Sequence, residues 1–248
     1  SRFLNDKPIV KYLSSTAATL AATFVLNKGL SKGGVKLATT IQRAADSGSH
    51  LGTRAVRTAG QIRKTLDDCV YGHKEAKTQL ERIFAQWING EMNGAVLGLQ
   101  GPPGTGKTSL AKNGLSKCLV DSNGNARPFA FLPIGGSVNG STLVGHNFTY
   151  VGSTWGRIAD ILMTTGCMNP IIFIDEVDKI SRTENGKELI GILTHMLDPA
   201  QNECFQDKYF TGIDIDLSKA LFILSYNDAS LIDKILLDRV HRIKFNNL

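Results

Sequence analysis

Residues Gly101-Pro102-Pro103-Gly104-Thr105-Gly106-Lys107-Thr108 follow the spacing G-x-x-x-x-G-K-[ST]. The chemistry this spacing permits is the binding of a polyphosphate. Glycines let the backbone curl so that successive N–H groups turn inward toward anionic oxygens, and the positive end of a following helix adds to the field. Lys107 would neutralise the β and γ phosphates, and the Thr108 hydroxyl would complete the shell of a Mg²⁺ ion. Pro103, Gly104, Thr105, Gly106, Lys107, Thr108 and Ser109 are therefore the candidate ATP-binding set. The bland alternative is a glycine-rich turn that happens to hold a lysine. An apolar strand over residues 95–100 and a helical pattern after the motif supply the flanks a phosphate loop requires.

A second cluster is acidic. Ile171-Ile172-Phe173-Ile174 is a continuous apolar run that ends in Asp175-Glu176, so a buried strand would deliver two carboxylates at its C-terminal end, where open parallel sheets bind ligands. Side chains alternate along a strand, and the pair could split its work. Asp175 would hold Mg²⁺, and Glu176 would orient the water that attacks the γ phosphate. A structural salt bridge is the competing use of either acid. Asn227 follows the apolar segment 221–226. Its amide could hold the attacking water or the γ phosphate, with a plain turn former as its rival. Arg239, in Leu236-Leu237-Asp238-Arg239, could reach the ATP of a neighbouring subunit through its planar guanidinium. Arg242 is the nearby competitor, and an ordinary surface charge is the alternative for both.

The elements that must position these residues read as alternating helices and short apolar strands from Leu66 onward. Ala76, Leu80, Ile83, Phe84, Trp87 and Ile88 recur at helical spacing. Leu110, Ala111, Leu115, Cys118 and Leu119 mark the helix after the phosphate loop; Ile158, Ile161 and Leu162 mark another, and Leu189, Ile192, Leu193 and Met196 a third. Strands are expected at 95–100, 129–134, 171–174, 220–225 and 239–245. This alternation predicts an α/β fold: a five-stranded parallel sheet sandwiched by helices. A boundary near residue 65 is expected, with an N-terminal, mainly helical extension over 1–65 and the main domain over 66–248. The uncharged stretch from Tyr12 to Asn27 carries five Ser and Thr and is too short for a bilayer, so it reads as a packed or interfacial helix.

Charge separates the two parts. Residues 1–65 hold eleven Lys and Arg against Asp6 and Asp46, leaving seventeen against twenty for the remainder. A basic arm of this kind could contact nucleic acid or an anionic membrane surface, or form a solvated helical extension. The four cysteines show no C-x-x-C spacing, which points away from a zinc site or a disulfide framework and toward a reducing intracellular compartment, the cytoplasm or an organelle matrix. The acidic-poor start has some transit-sequence character.

Taken in order, the motifs resemble the AAA+ ATPases, and longer stretches resemble the ATPase module of Lon-type ATP-dependent proteases. Gly145-His146, Tyr150-Val151-Gly152 and Gly156-Arg157-Ile158 are similar to one Lon segment. The run from Asn169 to Ile180 is similar to another, and Leu197-Asp198-Pro199-Ala200-Gln201-Asn202, Asp216-Leu217-Ser218 and Leu236-Leu237-Asp238-Arg239 continue the match over roughly residues 66–245. Asn147-Phe148 departs from the basic pair usual in that family, and Trp155 stands where proline is usual. The resemblance implies that Tyr71 and Gly72 flank the adenine, with Val70 and His73 lining it. It also implies that Tyr150 and Val151 form a loop gripping an extended polypeptide in the channel of a hexameric ring. An aromatic and a branched side chain can wedge against any backbone by apolar contact; burial in the core is the alternative for both.

The sequence thus leads to the expectation of a Mg-dependent ATPase in a ring-forming homo-oligomer that unfolds or remodels polypeptides. A nucleic-acid-processing ATPase using the basic arm and an ATP-gated assembly module are the alternatives. Nothing in the sequence resembles a Ser-Lys protease domain, so no peptide cleavage is expected of the chain, and the helical lid of the family is expected beyond Leu248.

Overall fold

The computed structural model describes residues 55–56, 59–89, 96–120, 124–136 and 139–246. The expected helix over Tyr12 to Asn27 and most of the basic arm lie outside them. In chain order the strands are β1 (Ala55–Val56), β2 (Val96–Gln100), β3 (Leu119–Val120), β4 (Phe129–Pro133), β5 (Ile171–Asp175), β6 (Phe205–Gln206), β7 (Asp214–Ile215), β8 (Leu221–Tyr226) and β9 (His241–Lys244). The helices are α1 (Ala59–Cys69), α2 (Lys74–Asn89), α3 (residues 107–118), α4 (Gly140–Val144), α5 (Arg157–Thr165), α6 (Glu184–Leu197) and α7 (Lys234–Leu237).

Five strands form one sheet in the order β4-β5-β8-β2-β9, and every neighbouring pair in it is parallel. The apolar runs of β5 and β8 explain their central places: a strand covered on both faces needs no polar alternation. Because side chains alternate, Ile172, Ile174, Phe222 and Leu224 face one core with residues of α4, α5 and α6, whereas Ile171, Phe173, Leu221 and Ile223 face the other with residues of α1, α2 and α3. Truncating Phe173, which is fully buried, would cost about 3–5 kcal/mol in transfer and cavity terms. Two short antiparallel pairs, β1 with β3 and β6 with β7, lie outside this sheet.

The lower ends of three strands are tied by one side chain. Arg127 donates from Nε to Asn169 O and from a terminal nitrogen to Lys219 O, joining the segments that enter β4, β5 and β8. Burial lowers its pKa to about 10. Helix α1 runs across the expected boundary at residue 65, and Ile62 and Leu66 are both buried in the same core. The packed unit of the sheet therefore includes residues on both sides of that position. Helix α3 opens as Lys107–Ser109, widens to π-helical Leu110–Leu115 and closes as Ser116–Cys118. Helical periodicity alone does not distinguish that widening.

Candidate functional site

The loop between β2 and α3 leaves the sheet between two parallel neighbours. Gly101 donates its N–H to Tyr226 O of β8, and a Cβ at Gly101 would lie 2.7 Å from that of Phe245. Only glycine fits this close approach. Gly104 and Gly106 then take left-handed backbones, with φ of 79° and 80°, a region that carries no steric cost without a side chain. A cavity of about 470 Å³ opens beside the loop, lined by residues 103–109, Asp175, Glu176, Asp178, Lys179, Ser225, Tyr226 and Asn227. The C-terminal ends of β5 and β8 thus meet the phosphate loop in one place.

Lys107 is only 8% exposed. Its Nζ donates to Gly101 O (2.6 Å), Pro102 O (2.9 Å) and Asn227 Oδ1 (3.4 Å). Burial lowers its pKa, while the charges of Asp175 and Asp178 work in the opposite direction. Neutral carbonyls around a buried ammonium leave its charge uncompensated at close range, so an incoming phosphate gains from a pre-placed cation.

Asp175 is the last residue of β5, but Glu176 is not on the strand. Its φ of 59° is left-handed, an uncommon state for a residue with a side chain. The two acids are therefore separated by the chain turning off the sheet into a 3₁₀ turn at Val177–Lys179, rather than by strand alternation as the sequence pattern implied. Glu176 pairs through Oε1 with Lys179, and this pairing raises the pKa of Lys179. Its Oε2 lies against Gly135, where any Cβ would overlap it. Periodicity gives no sign of this requirement for glycine, because the neighbour is forty-one positions away.

Asp178 and Lys179 are cavity residues to which the sequence reading gave no role. Asp178 Oδ2 accepts from the N–H of Asn227 (2.9 Å) and of Asp228 (3.1 Å), fixing the turn after β8. Its Oδ1 is buried without a hydrogen-bond partner. An orphaned carboxylate oxygen in a cavity that also contains Thr108 and Asp175 fits a hydrated divalent cation. The residues therefore suit Mg²⁺ bound with a phosphate.

The other expected residues lie apart from that cavity. Tyr71 is 87% exposed and does not line it. Gly72 and His73 both have positive φ, and the side chain of Val70 sits over Gly106, 3.2 Å from where a Cβ would stand. This brings the 70–73 turn next to the phosphate loop. The His73 ring packs on Phe245 at 4.9 Å, and its Nε2 is buried without a partner. Arg239 donates to Asp198 Oδ2 at 2.9 Å and to Ile235 O at 2.8 Å, so it lines no part of the phosphate cavity of its own chain. Arg242 is exposed on β9.

Tyr150 and Val151 stand at the tip of a loop rather than in the core. Helix α4 is capped by the Asn139 side chain and ends at Gly145, with φ 75°. The N–H of His146 bonds to Thr154 O at 3.0 Å and closes the neck. Between these points Tyr150 is 69% exposed and Val151 wholly exposed. Two apolar side chains held out to water at one tip are a surface for contact.

Comparison with known proteins follows the same lines. The family profile of AAA, the ATPase family associated with various cellular activities, matches residues 97–248. A Lon protease homolog of Acanthamoeba polyphaga mimivirus is 40% identical over 187 residues, covering 75% of this chain and 18% of the relative. The mitochondrial Lon protease homolog of Yarrowia lipolytica is 41% identical over 187 residues, 75% of this chain and 15% of its own length. The Lon protease of Campylobacter concisus is 36% identical over 198 residues, 75% of this chain and 23% of its own. The chain thus spans less than a quarter of the length of these relatives.

Proposed function

The chain belongs to the AAA family of ATPases, and from that premise we propose that it binds Mg-ATP and hydrolyses it to drive the movement of an exposed polypeptide-gripping loop within a ring of like subunits. The single observation that carries the reading is the common cavity of Lys107, Asp175, Glu176 and Asn227. The backbone of residues 103–109 and Lys107 bind the triphosphate. Thr108 and Asp175 would hold a Mg²⁺ ion, whose charge would offset that building on the phosphate oxygens. Glu176 orients a water for in-line attack, and Asn227 presents its amide to the γ phosphate. Val70, Tyr71, Gly72 and His73 flank the base, and Arg239 acts on the ATP of the next subunit.

Work on a polypeptide is assigned to Tyr150 and Val151. The support is their exposure on a closed loop together with likeness to proteins named Lon protease. The reading gives the chain ATP hydrolysis and no peptide cleavage. Among the described residues no helix is long and apolar enough to cross a membrane. The relatives named mitochondrial and the free thiols favour a reducing organelle matrix.

Glu176→Gln should retain ATP binding and lose turnover, and Lys107→Ala should lose binding itself. Steady-state hydrolysis surviving in the Gln variant would refute the assignment. A second reading, a nucleic-acid-processing ATPase, draws on the eleven cations against two acids in residues 1–65. It requires salt-sensitive binding of DNA or RNA that disappears when those residues are removed.

A further inference from the structure

Away from the phosphate cavity, the described residues contain one fully buried acid. Asp207 is 0% exposed, lies between β6 and β7, and does not line the phosphate cavity. Its Oδ2 accepts from the N–H of Gly156 at 2.8 Å, and its Oδ1 from the N–H of Tyr209 at 2.9 Å. Gly156 follows the closed loop of 146–154 by two residues, with Trp155 between, and is the N-cap of α5. The carboxylate therefore joins the exit of the Tyr150–Val151 loop to a different segment of chain.

The neighbourhood is shaped around that junction. A Cβ at Gly145, the entrance of the loop, would lie 2.9 Å from Asp207 Oδ1 and 2.8 Å from Gly156 N, so entrance and exit both close on the same group. Lys208 donates its N–H to Val144 O at 2.6 Å, pinning the chain beside Asp207 to the end of α4. Trp155, adjacent to Gly156, stacks on Phe210 with ring centroids 6.2 Å apart and meets Tyr209 edge-on at 5.8 Å. Burial drives the Asp207 carboxyl toward its neutral form, against the hydrogen bonds from Gly156, Tyr209 and Phe210. A buried charge is costly unless its hydrogen bonds or a paired charge compensate it.

We propose that Asp207 is the positioning residue of the Tyr150–Val151 loop: its carboxylate anchors the loop exit to the β6–β7 segment, so that force on the tip passes into the domain. The proposal rests on the reading of that loop as the polypeptide contact. Asp207 touches no substrate and acts through Gly156.

The test uses the full chain carrying Asp207→Asn. The amide has nearly the same shape but one acceptor oxygen, so one of the two N–H groups must lose its bond. Loss of a hydrogen bond to a charged acceptor should speed amide exchange at Gly156 or Tyr209 by roughly 10-fold to 100-fold. ATPase activity measured with and without denatured casein should lose its casein stimulation, while fluorescent-ADP affinity remains that of the parent. Gly145→Ala, which directs a methyl group at the same carboxylate, should reproduce the loss and carries the test if the Asn variant does not fold. Unchanged exchange at both amides overturns the proposal. So does full casein stimulation in the Asn variant when Tyr150→Ala has abolished it. If Tyr150→Ala keeps the stimulation, the loop reading fails by itself, and the exchange result still decides whether Asp207 holds the neck.

Discussion

Asp178 Oδ2 holds the backbone N–H of Asn227 at 2.9 Å, so the turn that follows β5 fixes the end of β8. The Asn227 side chain is held from the other side, with Lys107 Nζ 3.4 Å from its Oδ1. Asn227 is thereby held at its backbone by Asp178 and at its side chain by Lys107, and both partners line the phosphate cavity.

Removing that acid should affect chemistry more than binding. Asp178→Ala frees the Asn227 turn, and a misplacement on the order of 1 Å can cost about 10²-fold in kcat. ADP has no γ phosphate for Asn227 to meet, so its affinity measured without Mg²⁺ should remain. Asp178→Asn keeps an oxygen for both N–H groups and should retain most activity. Steady-state kinetics with ADP titration decide the matter; an equal loss in ADP affinity would show that Asp178 acts on the nucleotide as a whole.

Gly135→Ala should act on Glu176 at a distance in sequence. Gly135 has no left-handed backbone to defend, so the added methyl meets only its neighbour, with Glu176 Cβ 2.9 Å away and the carboxylate closer still. The expected outcome is a kcat lowered by about 10²-fold with KM for ATP little changed. A variant with parental kcat would mean that Glu176 has room to work elsewhere.

Stability should carry a signature of Asp207. Burial raises its pKa from 3.8 to about 6, so between those values the folded state holds a proton that the unfolded chain releases. The slope of unfolding free energy with pH is then negative. The contribution is fully present below about pH 4 and is lost as pH rises through 6, by about 3 kcal/mol at most. Asp207→Asn lacks it and should gain on the parent chain across that window. Urea unfolding of both proteins at several pH values measures the difference, and parallel curves would remove the titration from Asp207.

Much of this was legible from the residues. The five strands, their parallel sense and the phosphate loop follow from apolar runs, the alternation with helices and glycine spacing, because strand burial and close backbone approach are local demands on composition; the order of the strands in the sheet does not. What was not legible depends on partners distant in sequence. Periodicity does not show that Gly135 clears space for Glu176, that Asp178 supports Asn227, or that α1 packs Ile62 and Leu66 into one core. Alternation misread the Asp175-Glu176 pair, since a left-handed backbone, rather than the pleat, turns Glu176 away. The exposure of Tyr150 and Val151 was signalled by flanking Thr149, Gly152 and Ser153, but Asp207 beneath them gave no signal in the sequence.

Arg239 supplies the last prediction, because its bonds within the chain leave its proposed work to a contact between subunits. It pairs with Asp198 at 2.9 Å, and hydrogen bonding from Ala200 N–H, followed by Arg239, holds the Asp198 carboxyl below its ordinary range. A guanidinium already oriented by a carboxylate loses less freedom when it meets a phosphate. Arg239→Ala should bind ATP normally yet hydrolyse it slower by about 10³-fold, the scale of an arginine acting across an interface. Lys107→Ala is inactive for a different reason and keeps Arg239. Mixed in one assembly, each inactive subunit has what the other lacks, so an intact phosphate loop can meet an intact arginine and ATPase activity should return. Arg242→Ala should keep its activity alone. A mixture as inactive as its components, or loss in the Arg242 variant instead, would take the role away from Arg239.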